Sequence, residues 1–137
     1  MREIILITLG LSSLIWADLS RVGDVVRDSS TGLEWQDDSI GSTLTWESAI
    51  THCEELSLDG GGWRLPTVNE LVSLVDDSRA SPAIDPVFQN TASGNYWSST
   101  TYARTTYHAW YVYFSDGRQD VYYKYANYYV RCVRVGQ

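Results

Sequence analysis

Basic residues are scarce in this chain of 137 residues, which has 10 lysines and arginines against 17 aspartates and glutamates. The basic residues form no run anywhere along the chain. A formal net charge of −7 at pH 7 repels phosphate backbones and anionic lipid headgroups unless a local basic patch overrides it. The composition therefore argues against a nucleic acid partner.

Long apolar runs are also rare, and the one that stands out is Ile4–Trp16, with Arg2 before it and a small residue, alanine, directly after it. This run is too short to span a bilayer comfortably, and its end suits cleavage by signal peptidase. We therefore predict a secretory signal peptide at residues 1–17 and a mature domain at residues 18–137. Because a single basic residue makes a weak start to such a signal, an uncleaved membrane anchor is the alternative. We expect the domain to be secreted, periplasmic or displayed at the cell surface.

Cysteine and histidine are few, which limits redox and metal chemistry. The two cysteines, Cys53 and Cys132, have no Cys-x-x-Cys spacing, and the two histidines, His52 and His108, lie far apart in sequence. In an exported protein such a cysteine pair is expected to form a disulfide bond, which is favoured over two reactive thiols. Closing a loop of 132 − 53 = 79 residues would stabilise the fold by about 4 kcal/mol.

Catalytic patterns are weak as well. Neither histidine has an obvious partner in sequence that would make it a general base for a nucleophile. Asp76, Asp77 and Asp85 could act as paired carboxylates or hold a calcium ion, but their spacing demands neither role. We expect a protein that is not an enzyme and has no catalytic residue, no bound metal and no cofactor.

The segment Trp63–Leu71 combines a short strand, a stop and the start of a helix. Pro66 ends the strand because its nitrogen carries no hydrogen for a ladder. Thr67 is a favourable N-cap residue, and Glu70 is placed to complete a capping box by reaching back to the amide of the capping residue. The apolar spacing that follows predicts a helix as far as Val75.

The rest of the chain alternates between helical and strand-like patterns. The predicted elements are a hairpin of residues 25–27 and 33–36, a helix at Trp46–Leu58, and strands at residues 96–100, 109–114, 119–123 and 128–135. The Asp116-Gly117 pair between two alternating segments is the strongest hairpin signal. The irregular stretch Asp77–Asn95 is long for a connection in a compact domain, and such loops usually have a function.

Tyrosines crowd the C-terminal third of the chain. Alternation predicts that Trp110, Val112 and Phe114 face the core and that the intervening tyrosines face the other way. A single core cannot cover every ring, and exposed rings beside polar groups suit a sugar or a peptide. The candidate ligand-binding residues are Arg104, Tyr107, Tyr111, Tyr113, Tyr122, Tyr123, Tyr125 and Asn127. The alternative is that aromatic residues favour strands and merely cover a sheet face.

Four segments in a fixed order carry a resemblance to a known family. They are Trp63–Leu71, Tyr96–Thr100, Ala109–Gly117 and Tyr129–Arg134. Together they resemble the DUF1566 family, which includes the C-terminal domain of a collagen-like adhesin of Legionella, and the resemblance runs from Val22 to Val135. It implies an α+β, C-type-lectin-like fold with two helices packed on a twisted, mainly antiparallel sheet with long loops. Two of the segments are also similar to motifs of formylglycine-generating enzymes, which share this fold.

The resemblance and the residues together predict an exported, non-enzymatic module of adhesin type. We expect it to bind a glycan or a protein through a tyrosine-rich sheet and loop surface, with the acidic balance favouring a neutral sugar or a protein over a sulfated polysaccharide. A structural or self-assembling envelope subunit, and so a homo-oligomer, is the first alternative. An enzyme of the formylglycine-generating type is less favoured, because it needs a reactive cysteine that a disulfide would remove. A membrane contact is expected only if the signal is not cleaved.

Overall fold

Seven strands and two α-helices form the part of the chain that the structure, a computed structural model, describes, residues 18–136. In chain order they are β1 Leu19–Val22, β2 Val25–Asp28, β3 Leu33–Gln36, α1 Trp46–Glu55, α2 Val68–Val72, β4 Asn95–Thr101, β5 His108–Tyr113, β6 Arg118–Tyr123 and β7 Val133–Val135. The predicted α+β class is confirmed. The predicted signal peptide lies outside the described residues. No helix within them is long and apolar enough to cross a membrane.

The strands form two antiparallel sheets, whereas the family resemblance implied a single one. The first sheet has the order β1-β2-β3-β7, and the second has the order β4-β5-β6. The predicted last strand, residues 128–135, is the reason for the difference. Within this segment only Val133–Val135 forms a strand, β7, which pairs with β3. Tyr128 and Tyr129 make isolated bridges to Leu44 and Tyr96. The chain therefore crosses from one sheet to the other in this segment.

The second sheet is packed on both faces. Tyr96, Val112 and Phe114 belong to one buried cluster, whereas Trp97 and Ala109 belong to another. Because neighbouring residues of a strand point to opposite faces, one cluster lies on each side of this sheet. The predicted core positions Val112 and Phe114 are thus confirmed, but the third predicted one, the tryptophan between Ala109 and Tyr111, is only half-buried.

The disulfide bond between Cys53 and Cys132 is present, with an S–S distance of 2.08 Å. Cys53 lies on α1, and Cys132 directly precedes β7. Both cysteines are fully buried. The bond therefore joins the helix on one side of the second sheet to the C-terminal edge of the first sheet.

The predicted capping box at the start of α2 is complete. The Glu70 amide donates to the Thr67 hydroxyl at 3.2 Å, and the Thr67 amide donates to the Glu70 carboxylate at 2.9 Å. The helix ends at Val72 rather than at Val75, because the amides of Leu74 and Val75 donate to carbonyls three residues back instead of four. The predicted helix Trp46–Leu58 also ends early, at Glu55.

Replacing Thr67 by alanine should destabilise the protein by about 1 kcal/mol, because the substitution leaves a helical amide without its acceptor. Thr45 is a matched control, since it is the N-cap of α1 with the same φ of −66° and ψ of 162° but makes no capping hydrogen bond. Thr45→Ala should therefore change the stability by less than Thr67→Ala does. Urea denaturation followed by circular dichroism measures both, and equal losses would contradict the assignment.

Candidate ligand-binding surface

The predicted tyrosines do not share one surface, because the β5–β6 hairpin divides them between its two faces. The strand register pairs Tyr123 with His108 and Tyr122 with Ala109. Directly paired residues of antiparallel strands lie on the same face, so Tyr122 lies on the same side as Ala109 and Tyr111, and Tyr123 lies on the opposite side. We name these the Tyr122 face and the Tyr125 face, the latter after the ring stacked on Tyr123.

The Tyr122 face is largely covered by an aromatic column. Tyr128 packs at 4.5 Å from Trp97, at 5.0 Å from Tyr111 and at 6.1 Å from Tyr122, measured between ring centroids. Burial, helped by the neighbouring phenols, raises the pKa of Tyr128 to about 12. The ring of Tyr113 is half-buried, and the guanidinium carbon of Arg118 lies 4.9 Å from its centre. Tyr111 and Tyr113 therefore present little free ring to a ligand.

The Tyr125 face carries rings that are fixed and still open to solvent. Tyr125 stacks on Tyr123 with ring centroids 5.1 Å apart and an interplanar angle of 11°. Tyr123 in turn contacts the imidazole of His108 edge to face at 4.2 Å. The exposed fractions are 42% for Tyr123 and 71% for Tyr125. The contact with Tyr123, the last residue of β6, therefore orients the exposed ring of Tyr125.

Three other predicted residues lie in loops around the hairpin. Arg104 and Tyr107 are exposed in the connection between β4 and β5, and Tyr107 is 76% exposed. The backbone amide of Lys124 donates to the carbonyl of Tyr107 at 2.9 Å, which holds this connection against the turn after β6. Asn127 is exposed at the end of that turn.

A cavity of about 330 Å³ lies beside Tyr125, between the turn after β6 and the start of α1. Its lining residues are Thr45, Glu47, Lys124 and Tyr125. Only Tyr125 was among the predicted binding residues, because nothing in the spacing of residues 45–47 and 124–125 indicates that they meet.

The walls of this cavity are held by contacts between distant segments. The Trp46 amide donates to the Lys124 carbonyl at 3.0 Å, which fixes the start of α1 against the turn. The Lys124 ammonium lies 3.8 Å from the centre of the Trp46 ring and donates to the Thr101 hydroxyl at 3.0 Å. The Trp46 indole donates to the Ser98 carbonyl at 2.9 Å. The turn that contributes Lys124 and Tyr125 to the cavity is therefore held against α1 and β4.

A second cavity of about 570 Å³ lies in the long connection between α2 and β4. It is lined by Ser78, Arg79, Ala80, Pro82, Ile84, Pro86, Phe88, Gln89 and Thr91. Ile84 and Phe88 are buried and form its apolar floor. The sequence predicted that this loop has a function but did not indicate which of its residues surround a cavity.

Asp37, which is fully buried, anchors this loop to the first sheet. Its carboxylate accepts the backbone amides of Gln89 at 2.8 Å and Asn90 at 3.1 Å, and it forms ion pairs with Arg131 at 2.9 Å and with Arg21. Burial by itself raises the pKa of Asp37, but the Gln89 amide and the two guanidinium groups outweigh it and hold that pKa below its usual range. The carboxylate is therefore ionised at neutral pH.

Arg131 continues the same network towards the loop. It donates to the Asn90 carbonyl at 2.9 Å and to the Thr91 hydroxyl at 2.7 Å, and its guanidinium carbon lies 4.8 Å from the centre of the Phe88 ring. Only 3% of its side chain is exposed. The floor and one wall of the loop cavity therefore depend on a buried ion pair.

Two of the three aspartates considered as metal or catalytic groups, Asp76 and Asp85, accept hydrogen bonds from residues two positions further on. Asp76 accepts the amide and the hydroxyl of Ser78 at 3.0 and 2.6 Å, and Asp85 accepts the amide of Val87 at 2.8 Å. Within residues 18–136, no group of three or more histidine, cysteine, aspartate or glutamate side chains is arranged to hold a metal ion. The same residues contain no free cysteine.

These features define a small α+β domain with one buried disulfide bond, two antiparallel sheets and an aromatic surface at one end of the second sheet. A family model described as the Lcl C-terminal domain matches residues 24–134. The match spans most of the chain, so the protein belongs to the Lcl C-terminal domain family, which is the same family as DUF1566. The resemblance predicted from the four sequence segments is therefore confirmed. No curated protein matches the chain.

Proposed function

We propose that the protein is an exported module of adhesin type that binds a glycan or a protein ligand without catalysis, through the Tyr125 face. The observation that supports this most is the stacked Tyr123–Tyr125 pair, which leaves the ring of Tyr125 71% exposed in the turn after β6, next to a cavity. Exposed aromatic rings of fixed orientation bind ligands with little loss of conformational entropy. Membership of the Lcl C-terminal domain family favours an adhesin-related role.

We also propose that the domain has a C-type-lectin-like fold. A C-type-lectin-like arrangement is supported by the two ends of the domain, since β1 and β7 lie in the same sheet, and by two helices with a long loop between α2 and β4. Export is supported by the predicted signal peptide and by a disulfide bond, which persists in oxidising compartments. These features, together with the family, support a surface or extracellular location.

Replacing both Tyr123 and Tyr125 by alanine should abolish ligand binding and leave the melting temperature nearly unchanged, because both rings are largely outside the core. The measurement is a screen of the purified full chain on a glycan array and against candidate host proteins, with calcium and with a chelator. Tyr122→Ala is the matched control, since its exposure of 45% is close to the 42% of Tyr123. Its side chain leaves β6 on the opposite face, and its ring contacts the ring of Tyr123 only edge to face, with centroids 5.6 Å apart.

Two outcomes would contradict the proposal. A large loss of stability in the double variant would mean that these rings belong to the core. Loss of binding in Tyr122→Ala, with full binding by the double variant, would place the ligand on the other face.

A self-assembling structural subunit is the second candidate, because β6 lies at the edge of its sheet. Exposed strand edges pair readily with other chains. Here the Asp120 carboxylate accepts the Val121 amide at 2.7 Å, which occupies a group that edge pairing would use, and this favours the binding module. Light scattering over a range of concentrations tests the alternative, and a mass that rises to a defined oligomer would support it.

A further inference from the structure

We propose that the cavity beside Tyr125 binds a single uncharged sugar ring, a hexose or an N-acetylhexosamine without sulfate or carboxylate. This inference rests on the proposed function and names the ligand class of the same surface. Four observations carry it: the open face of Tyr125, the polar groups of the lining, their charge and the size of the cavity.

Tyr125 has the properties of a stacking platform. Tyr123 covers one face of its ring at 5.1 Å, and an exposed fraction of 71% leaves the other face in solvent. A pyranose ring has a face of C–H groups that packs against a flat aromatic ring, as apolar surface generally does. Because His108 holds Tyr123 in place, binding does not have to order the platform first.

The polar lining suits hydroxyl groups. Glu47 offers two acceptor oxygens, and within residues 18–136 its carboxylate forms no ion pair. Among residues 18–136, the Thr45 hydroxyl makes no capping bond to α1, so it can donate to or accept from a ligand hydroxyl. Neighbouring hydroxyls on the edge of a sugar ring match these two groups.

Charge disfavours an anionic sugar. The Glu47 carboxylate would repel a sulfate or a carboxylate, and its place in the first turn of α1 already complements the positive end of the helix dipole. The Lys124 ammonium also lines the cavity and keeps its positive charge in its contacts with the Trp46 ring and the Thr101 hydroxyl, so it offsets Glu47 locally. The net charge of −7 of the whole chain then decides against an anionic ligand.

The size of the cavity limits the ligand. A volume of about 330 Å³ lies near the lower end of the range for small-molecule sites, roughly 300–1,000 Å³. We therefore infer that one ring enters the cavity and that any further sugar residues of a glycan lie outside it.

The test is saturation-transfer NMR on the purified full chain with five probes. They are methyl α-mannoside, methyl β-galactoside, N-acetylglucosamine, N-acetylglucosamine 6-sulfate and glucuronic acid. At least one neutral sugar should receive saturation from tyrosine ring protons, and both anionic sugars should bind more weakly than that sugar. Tyr125→Ala should weaken neutral binding by roughly tenfold, as expected for loss of an aromatic contact. Tyr122→Ala removes an edge contact with Tyr123 but leaves the Tyr123–Tyr125 stack in place, so it should weaken binding by clearly less.

Glu47→Gln tests separately whether the negative charge of Glu47 weakens the binding of anionic sugars. The amide keeps an acceptor oxygen but removes the charge, so the sulfated sugar should approach the neutral one in affinity. Stronger binding of either anionic sugar than of every neutral sugar by the unchanged protein would overturn the inference, as would neutral binding that survives Tyr125→Ala.

Failure of this inference is distinguishable from failure of the proposed function. If a protein or a charged glycan binds and the Tyr123→Ala/Tyr125→Ala double variant loses that ligand, the binding module stands and the neutral-sugar assignment is wrong. If ligand binding is insensitive to both tyrosines, both proposals are wrong. Circular dichroism of each variant confirms that a loss of binding does not come from unfolding.

Discussion

Replacing Asp37 by asparagine should destabilise the protein by about 3–5 kcal/mol, the cost typical of breaking a buried ion pair from one side. The substitution preserves the size of the side chain but removes its charge. Arg131, with 3% of its side chain exposed, would keep its positive charge in the interior without the carboxylate. Water cannot compensate for this loss, because Asp37 is fully buried.

The loss should appear first in the long loop. The amides of Gln89 and Asn90 and the side chain of Arg21 all converge on Asp37, so the loop and β1 depend on the same group. We expect faster hydrogen exchange at Gln89 and Asn90 in Asp37→Asn than in the unchanged protein. The loop cavity floored by Phe88 should then lose its fixed shape.

Glu70→Gln is the matched control for this substitution. Glu70 forms a two-point ion pair with Arg64, with Nη to Oε distances of 2.7 and 2.8 Å, but the two side chains are 22% and 43% exposed. Ion pairs near the surface contribute about 0–1 kcal/mol. Urea denaturation at pH 7 should therefore show a much larger loss of stability in Asp37→Asn than in Glu70→Gln. Equal losses in the two variants would show that burial of the ion pair does not explain the cost of removing the Asp37 charge.

The pH dependence of stability follows from the same carboxylate. The pKa of Asp37 is lowered in the folded protein, so its contribution is fully present above the ordinary aspartate pKa of about 4 and is lost as the pH falls through the lower folded value. Asp37→Asn lacks this group and should lose less stability than the unchanged protein when the pH falls below about 4. A steeper loss of stability with falling pH in Asp37→Asn would contradict a lowered pKa of Asp37 in the folded protein.

Replacing both Cys53 and Cys132 by alanine should destabilise the protein by about 4 kcal/mol, the loop-closure value for a long loop. The bond closes a loop with a sequence separation of 79 residues. Without it, the unfolded chain gains conformational freedom, while α1 and β7 keep their other contacts. The expected result is a lower urea midpoint with an otherwise similar fold by circular dichroism.

Reduction of the unchanged protein provides the control for this prediction. Both sulfurs are fully buried, so a reductant should act only as the protein unfolds, and the reduced protein should unfold at a urea concentration close to that of the double variant. A double variant within about 1 kcal/mol of the oxidised protein would mean that the bond adds little to the stability.

Several features could be predicted from the sequence because their signals are local. The capping box of Thr67 and Glu70 depends on residues three positions apart, and the Asp116-Gly117 turn depends on the conformation of one glycine. Gly117 has φ of +89°, and a Cβ there would lie 2.5 Å from a methyl carbon of Val75. The disulfide was predictable for a different reason, since the chain has only one possible cysteine pair.

The distribution of the tyrosines could be predicted only in part. Alternation correctly assigned Val112 and Phe114 to the core, and it implies that Tyr122 and Tyr123 lie on opposite faces. It could not indicate that Tyr128, from a segment that crosses between the sheets, would cover Tyr111. For the same reason the candidate residues were proposed as one surface, whereas the hairpin separates them into two.

Local chemistry along the chain was sufficient for the α+β class, the start of α2, the two hairpins and the family. Long-range packing decided which rings stay exposed, how Asp37 holds a loop more than 50 residues away, and that Thr45 and Glu47 meet Tyr125 around one cavity. The physical reason is that caps and turns are set by a few neighbouring dihedral angles and hydrogen bonds. The cover of a sheet face and the shape of a cavity depend instead on contacts between segments whose separation in sequence leaves no periodic signal.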